Sequence, residues 1–252
     1  KGDRLRYVYS RYANPTVSMF EKRLAALEGA KYCQATASGM SAVFSALFCQ
    51  LKAGDRVVAS RALFGSCLYI VTDILPGCGV ETVVVDGGDL DQWREALSQP
   101  TKVVFLEAPS NPTLDVIDLR TVSDLAHKAG ARVVVDNVFA TPLLQKPMQF
   151  GADIVIYSTT KHIDGQGRCL GGAILFNDED FRDQLTPIIR HTGPSMSPFN
   201  AWVMLKGMET LALRVERHCD NALAVAQFLE GQSGLKRVLY PELKSHPQHD
   251  LA

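Results

Sequence analysis

Runs of apolar residues alternate along this chain with stretches in which apolar positions recur every three to four residues. The runs, rich in valine and isoleucine, fall at 56–59, 80–85, 103–106, 132–135, 153–157 and 172–176. Between them lie helix-period stretches near 17–29, 40–51, 62–75, 90–98, 119–129 and 178–190. A continuous apolar run suits a strand covered on both faces, and a helix between two such strands is the crossover that keeps them parallel. The pattern predicts an α/β domain with a mostly parallel sheet between helical layers. A further helical stretch at 197–228, free of proline after Pro198, is expected to lead the chain toward a second domain.

Sheets of this kind bind ligands outside the carboxyl ends of their strands. Three successive runs end there on reactive groups: Glu107 after Val103–Leu106, Asp136 after Arg132–Val135, and Ser158 with Lys161 after Asp153–Tyr157. Three such endings in order predict one crevice. In Ser158-Thr159-Thr160-Lys161-His162, Lys161 is poorly placed for packing and well placed to form an imine with an aldehyde, while the flanking hydroxyls can hold a phosphate. Pyridoxal phosphate is the cofactor that needs both. In isolation, a surface lysine after a strand would read the same way.

The other candidates each carry two readings. Asp136 closes a valine run, so its carboxylate needs a partner: a protonated pyridine nitrogen, or else a helix terminus or an arginine. Ser38 and Gly39, in Ala37-Ser38-Gly39-Met40-Ser41, form either a phosphate-binding helix start or a plain capped helix. Asn111, in Pro109-Ser110-Asn111-Pro112, can reach a ring oxygen or simply make an Asn-Pro turn. Phe64 can lie flat on a pyridine ring or belong to the core.

Composition narrows the classes. With 252 residues and 46% hydrophobic content the chain can bury a large core, and a formal net charge of −1 gives no footprint for nucleic acid or an anionic membrane. No apolar run approaches the roughly 20 residues of a membrane span. The six cysteines show neither Cys-x-x-Cys nor zinc-ligand spacing, so no metal site is expected; Cys33 and Cys49 read as small buried hydrophobes, and all six as reduced cytoplasmic thiols. Gly165-Gln166-Gly167-Arg168-Cys169-Leu170 is not a dinucleotide fingerprint, because Leu170 stands at the third glycine position and no helix opens there. The chain opens on Lys1 and stops at Ala252 without a cap, so both ends are expected to be cut.

Taken together, these residues resemble the pyridoxal-phosphate enzymes of cysteine and methionine metabolism. The resemblance runs through Tyr9-Ser10-Arg11-Tyr12-Ala13-Asn14-Pro15-Thr16, Ala37-Ser38-Gly39-Met40, Pro109-Ser110-Asn111-Pro112, Val135-Asp136-Asn137 and Ser158-Thr159-Thr160-Lys161. It implies an aspartate-aminotransferase-like (fold type I) large domain with a mostly parallel, mixed seven-stranded sheet in α/β/α layers, followed by the start of a smaller C-terminal α+β domain. The implied divisions are an arm at 1–13, the cofactor domain at 14–212 and the second domain from 213–252.

The resemblance also implies roles. Lys161 would hold the cofactor and shuttle protons, and Asp136 would pair with the ring nitrogen. Ser38, Gly39, Met40, Ser158 and Thr160 would bind the phosphate, Asn111 would contact the ring hydroxyl, and Phe64 would stack. Tyr9 and Arg11 would reach the phosphate in a neighbouring subunit of a dimer of dimers. Phe64 stands where many members have tyrosine. With Phe64-Gly65-Ser66, His162-Ile163-Asp164-Gly165-Gln166-Gly167 and Ser245-His246-Pro247-Gln248-His249, the chain looks like the O-succinylhomoserine sulfhydrylases, which implies γ-replacement of succinate by sulfide to give homocysteine. Cystathionine synthesis or a methionine γ-lyase-type elimination is the alternative on this scaffold, and a non-catalytic cofactor-binding scaffold is the alternative of another class.

Overall fold

The computed structural model describes residues 7–252, so the first six residues of the expected arm lie outside it. Strands β1 (Tyr32–Thr36), β2 (Arg56–Ser60), β3 (Glu81–Val85), β4 (Val103–Glu107), β5 (Arg132–Asp136), β6 (Ile154–Ser158) and β7 (Gly172–Phe176) form one sheet in the order β1-β7-β6-β5-β4-β2-β3. The pairs from β3 through β6 are parallel, while β7 runs antiparallel to both β6 and β1. The mixed seven-stranded α/β fold is thus as the resemblance implied.

Among the described residues, ten α-helices accompany the strands: α1 (Pro15–Glu28), α2 (Gly39–Phe48), α3 (Gly65–Tyr69), α4 (Leu75–Gly77), α5 (Leu90–Ala96), α6 (Leu119–Lys128), α7 (Thr141–Leu144), α8 (Glu179–Thr192), α9 (Pro198–Glu209) and α10 (Leu211–Glu230). Local chemistry sets many of their boundaries. Asn14 accepts from Thr16 N and Pro15 opens α1, while Asp89 and Asp118 cap α5 and α6 in the same way.

Alternation along the strands splits the core in two. Val133, Val135, Val155 and Tyr157 face a layer with Phe20 and Leu24 of α1, Val122 of α6 and Met204 of α9. Val134, Ile154, Ile156 and Phe105 face the other layer, with Ala46 of α2, Cys67 of α3 and Phe181 of α8.

Four expectations need correction. Strand β1 was not marked by any apolar run: its sequence Tyr-Cys-Gln-Ala-Thr is mixed because it is an edge strand, partly exposed, that pairs only with β7. The single helix expected at 197–228 is two, because the chain breaks at Thr210 between α9 and α10. Cys33 and Cys49 are half-buried rather than buried, although all six cysteines are free thiols. The 62–75 stretch also starts only at Gly65 and passes through a π-helical turn at Ile70–Ile74. No helix among the described residues is long and apolar enough to cross a membrane, and none of their histidine, cysteine and acidic side chains cluster as a metal site.

Candidate active site

Glu107, Asp136 and Ser158 close three adjacent parallel strands, with Glu107 opposite Asp136 and Asp136 opposite Ile156. Each has the strand parity of the layer containing α2 and α3, so all three side chains leave the same edge on the same face. The parity sets the three endings side by side on one face, where the sequence predicts a crevice.

Asp136 is only 7% exposed. Burial pushes its carboxyl up to about 6, against the opposing effect of the Val138 N–H donated to Oδ1 at 3.0 Å. No described protein donor reaches its second oxygen. A carboxylate this desolvated, with one oxygen still open, fits a cationic N–H partner.

Glu107 beside it is 3% exposed, and burial together with the neighbouring Asp136 raises it to about 7. It accepts the Phe64 amide at 2.7 Å and the Asn111 amide as well. One carboxyl therefore fixes both the loop after β2 and the loop after β4. Phe64 is 46% exposed, so it is not a core aromatic; it stands at the head of α3 with its backbone anchored and its ring free. Asn111 is exposed on its anchored backbone.

Beside the end of β6, Ser38 caps α2 by accepting from Ser41 N at 3.1 Å. Among the described residues the amides of Gly39 and Met40 have no acceptor, as expected for the first turn of a helix. A Cβ on Gly39 would lie 2.5 Å from Ser158 Cβ, so glycine is what lets this helix start press against the end of β6. Helix N–H groups and the Ser158 hydroxyl together could hold an anion. Thr160 is differently engaged: its hydroxyl donates to Gly171 O at 3.2 Å and accepts from Gly171 N at 3.1 Å, tying the segment to the start of β7. Met40 touches the buried Cys67, whose thiol is pushed up first by burial and then by Asp136 and Glu107.

Lys161 follows as an exposed residue on a largely buried turn, and among the described residues its ammonium forms no ion pair. His162, next to it, meets the ring of Phe139, three residues past Asp136, at a centroid distance of 6.5 Å. The structure thus brings together Ser38, Gly39, Met40, Phe64, Asn111, Asp136, Ser158, Thr160 and Lys161 around one edge. It does not bring Tyr9 and Arg11 there. Tyr9 packs edge-on against Tyr12, and Arg11 bonds to Arg190 O and stacks on both tyrosines, beside Ser195. Of the tail motif, Gln248 is held by Val116, accepting from its amide at 2.8 Å.

Sequence reasoning placed Glu107 in the crevice without a task, and its position on the strand parity was the available signal. An acceptor of cationic N–H, an anion cradle, an aromatic wall and an exposed lysine fit pyridoxal phosphate in charge and in donor set.

Comparison with known proteins is consistent with this geometry. Residues 1–252 match the family model described as Cys/Met metabolism PLP-dependent enzyme. The chain is 59% identical over 246 residues to an O-succinylhomoserine sulfhydrylase of Mycobacterium tuberculosis H37Rv, covering 98% of this chain and 61% of that protein. An O-succinylhomoserine sulfhydrylase of Pseudomonas aeruginosa is 46% identical over 245 residues, covering 97% of this chain and 60% of the relative. The chain therefore spans about three fifths of the length of these relatives. Among solved structures, cystathionine gamma synthase of Xanthomonas oryzae pv. oryzae, in complex with aminoacrylate and cysteine, superposes with a TM-score of 0.95 at 37% identity, covering 99% of this chain and 65% of that one.

Proposed function

This chain belongs to the Cys/Met metabolism family of PLP-dependent enzymes, and on that footing we propose that it carries out γ-replacement on O-succinylhomoserine. In that reaction the bond from the γ-carbon to the succinate oxygen breaks, sulfide adds at the γ-carbon, and homocysteine and succinate are released. The observation that carries the catalytic reading is that Glu107, Asp136 and Ser158 end three adjacent strands on one face, with exposed Lys161 on the turn that follows. The likeness to the two sulfhydrylases favours sulfide as the acceptor.

Asp136 would hold the protonated ring nitrogen. Ser38, through its cap of α2, with Gly39, Met40 and Ser158 would hold the phosphate, joined by Thr160 if its hydroxyl turns from Gly171. Asn111 would meet the ring hydroxyl and Phe64 would cover the ring face. Bound there, pyridoxal phosphate supplies an electron sink for carbanions on the substrate. Lys161 Nζ would anchor the cofactor and then take up and return substrate protons. Phe64 offers no phenol, which leaves that proton traffic to Lys161. In this reading residues 14–212 form the cofactor domain, 213–252 begin a second one, and Tyr9 and Arg11 complete the site of a neighbouring copy in a dimer of dimers.

The test is to incubate the purified full chain, with cofactor, with O-succinylhomoserine and either sulfide or cysteine. Homocysteine with sulfide is the expected product. Cystathionine formed in preference, with cysteine as acceptor, would move the chain to the synthase activity of the Xanthomonas relative. No product from either, with cofactor bound, would support the non-catalytic scaffold.

A further inference from the structure

The turn that carries Lys161 is a single helical turn: Asp164 N donates to Thr159 O at 2.9 Å and Gly165 N to Lys161 O at 2.7 Å. So short a turn leaves the carbonyls of His162 and Ile163 without partners inside it. Both are satisfied from a distant element. Arg214, on α10, donates through Nη1 to His162 O at 2.7 Å and through Nη2 to Ile163 O at 3.4 Å. The same guanidinium is fixed on its own side, by Nη2 to Gly207 O at 2.8 Å and Nε to Thr210 Oγ1 at 3.1 Å. It thus bridges the α9–α10 joint to the lysine turn with four planar donors, a task that the point charge of a lysine cannot reproduce.

The surroundings are shaped for this seat. Gly165 closes the turn at φ +73, and a Cβ there would overlap the Arg214 guanidinium. A Cβ on Gly207 would overlap Ile163 O, so α9 presses on the same turn from below. On the far side Asp164 is fully buried and accepts from Arg168 N at 2.7 Å and from Arg168 Nε at 2.9 Å. The turn is therefore gripped on two sides, and within 161–165 only Lys161 is exposed.

We propose that Arg214 is the positioning residue for Lys161, a C-terminal cap supplied by α10 that fixes the direction of the lysine. This rests on the reading of Lys161 as the residue that anchors the cofactor. Because the cap comes from α10, displacement of that helix along its axis is transmitted to Lys161 through two carbonyls.

The test compares the wild-type full chain with Arg214→Lys and with Gly165→Ala, which keeps the arginine but denies it its seat. In the cofactor-free proteins, hydrogen exchange across 161–165 is expected to rise about tenfold in both variants, with exchange in β4 and β5 unchanged. In the loaded proteins, the pH midpoint of the visible band is expected to move by about half a unit or more. Exchange that stays at the wild-type level, or rises evenly over the sheet with the midpoint unmoved, would overturn the proposal, since Arg214 would then serve only general stability. Borohydride labelling of the wild type, read by peptide mapping, separates the two layers. A label on a lysine other than Lys161 defeats the anchoring assignment, and with it the positioning role, whereas a label on Lys161 with unchanged exchange and midpoint defeats the positioning role alone.

Discussion

The residue with the clearest chemical departure is Phe64. Its backbone amide is held by Glu107 at 2.7 Å and its ring is 46% exposed, so its orientation is set by the backbone and its face is available for stacking. Stacking contributes on the order of 0.5–1.5 kcal/mol beyond buried area. We predict that Phe64→Leu weakens cofactor retention by about tenfold at most, measured by titration. Phe64→Tyr is expected to keep the cofactor and add a proton route. With O-succinylhomoserine at fixed sulfide, the ratio of 2-oxobutyrate to homocysteine should then rise. An unchanged ratio would show that this position does not set the choice between replacement and elimination.

Among the elements, the contact between the start of α2 and the end of β6 matters most. The two meet with no room for a side chain on Gly39, whose Cβ would be 2.5 Å from Ser158 Cβ and 2.9 Å from its Cα. Such overlap forces backbone to move, at a cost of typically ~1–3 kcal/mol. Gly39→Ala is predicted to separate the helix amides from Ser158 and weaken cofactor binding by about tenfold or more, with secondary structure by circular dichroism unchanged. A wild-type dissociation constant in the alanine variant would mean that the phosphate does not sit on this helix. On the opposite layer, Tyr157 donates to Glu28 at 2.5 Å and Asn137 Nδ2 bonds the Tyr157 hydroxyl at 2.6 Å. Asn137 also bonds Gln145 O at 2.9 Å, and Gln145 in turn reaches Ala108 O at 2.7 Å, so the loops after β4 and β5 are tied from behind.

For the whole molecule, that network makes stability depend on pH. Glu28 is raised from 4.5 to about 7, chiefly by burial, and its Oε1 has no hydrogen-bond partner. A carboxyl whose folded pKa exceeds its unfolded value binds more protons when folded. Its contribution is therefore full below about 4.5 and is lost as pH rises to about 7. The loss is on the order of 3 kcal/mol at most. Glu107 and Asp136 are raised too and act in the same direction. Glu28→Gln is predicted to flatten the fall in unfolding free energy between about pH 5 and about pH 8, measured by urea titration; an equal fall in both proteins would place the effect elsewhere. The assembly can be tested separately. If Tyr9 and Arg11 serve a neighbouring copy, mixing inactive Arg11→Ala with inactive Lys161→Ala should restore activity through hybrid dimers. Confirmed hybrids without recovery would argue for a site built within one chain.

How much of this was legible beforehand follows from range. The alternation of apolar runs and helical stretches, the strand endings at Glu107, Asp136 and Ser158, and the cap at Ser38 are local. Each depends on a few neighbouring residues and on the two-residue period of a strand, so the sequence alone determined them. The strand Tyr32–Thr36 was hidden because its edge position, partly exposed and paired only with β7, leaves its sequence mixed. The break at Thr210 was hidden because its neighbours are good helix formers. The joint roles of Glu107 and Arg214 were beyond any local pattern. Glu107 meets the Phe64 and Asn111 loops because the sheet order sets β2 beside β4. Arg214 reaches the lysine turn because α9 and α10 fold back beneath it, where Gly165 and Gly207 leave room. Local periodicity decides which side chains stand at a strand's end, but only the packing of distant elements decides which of them meet.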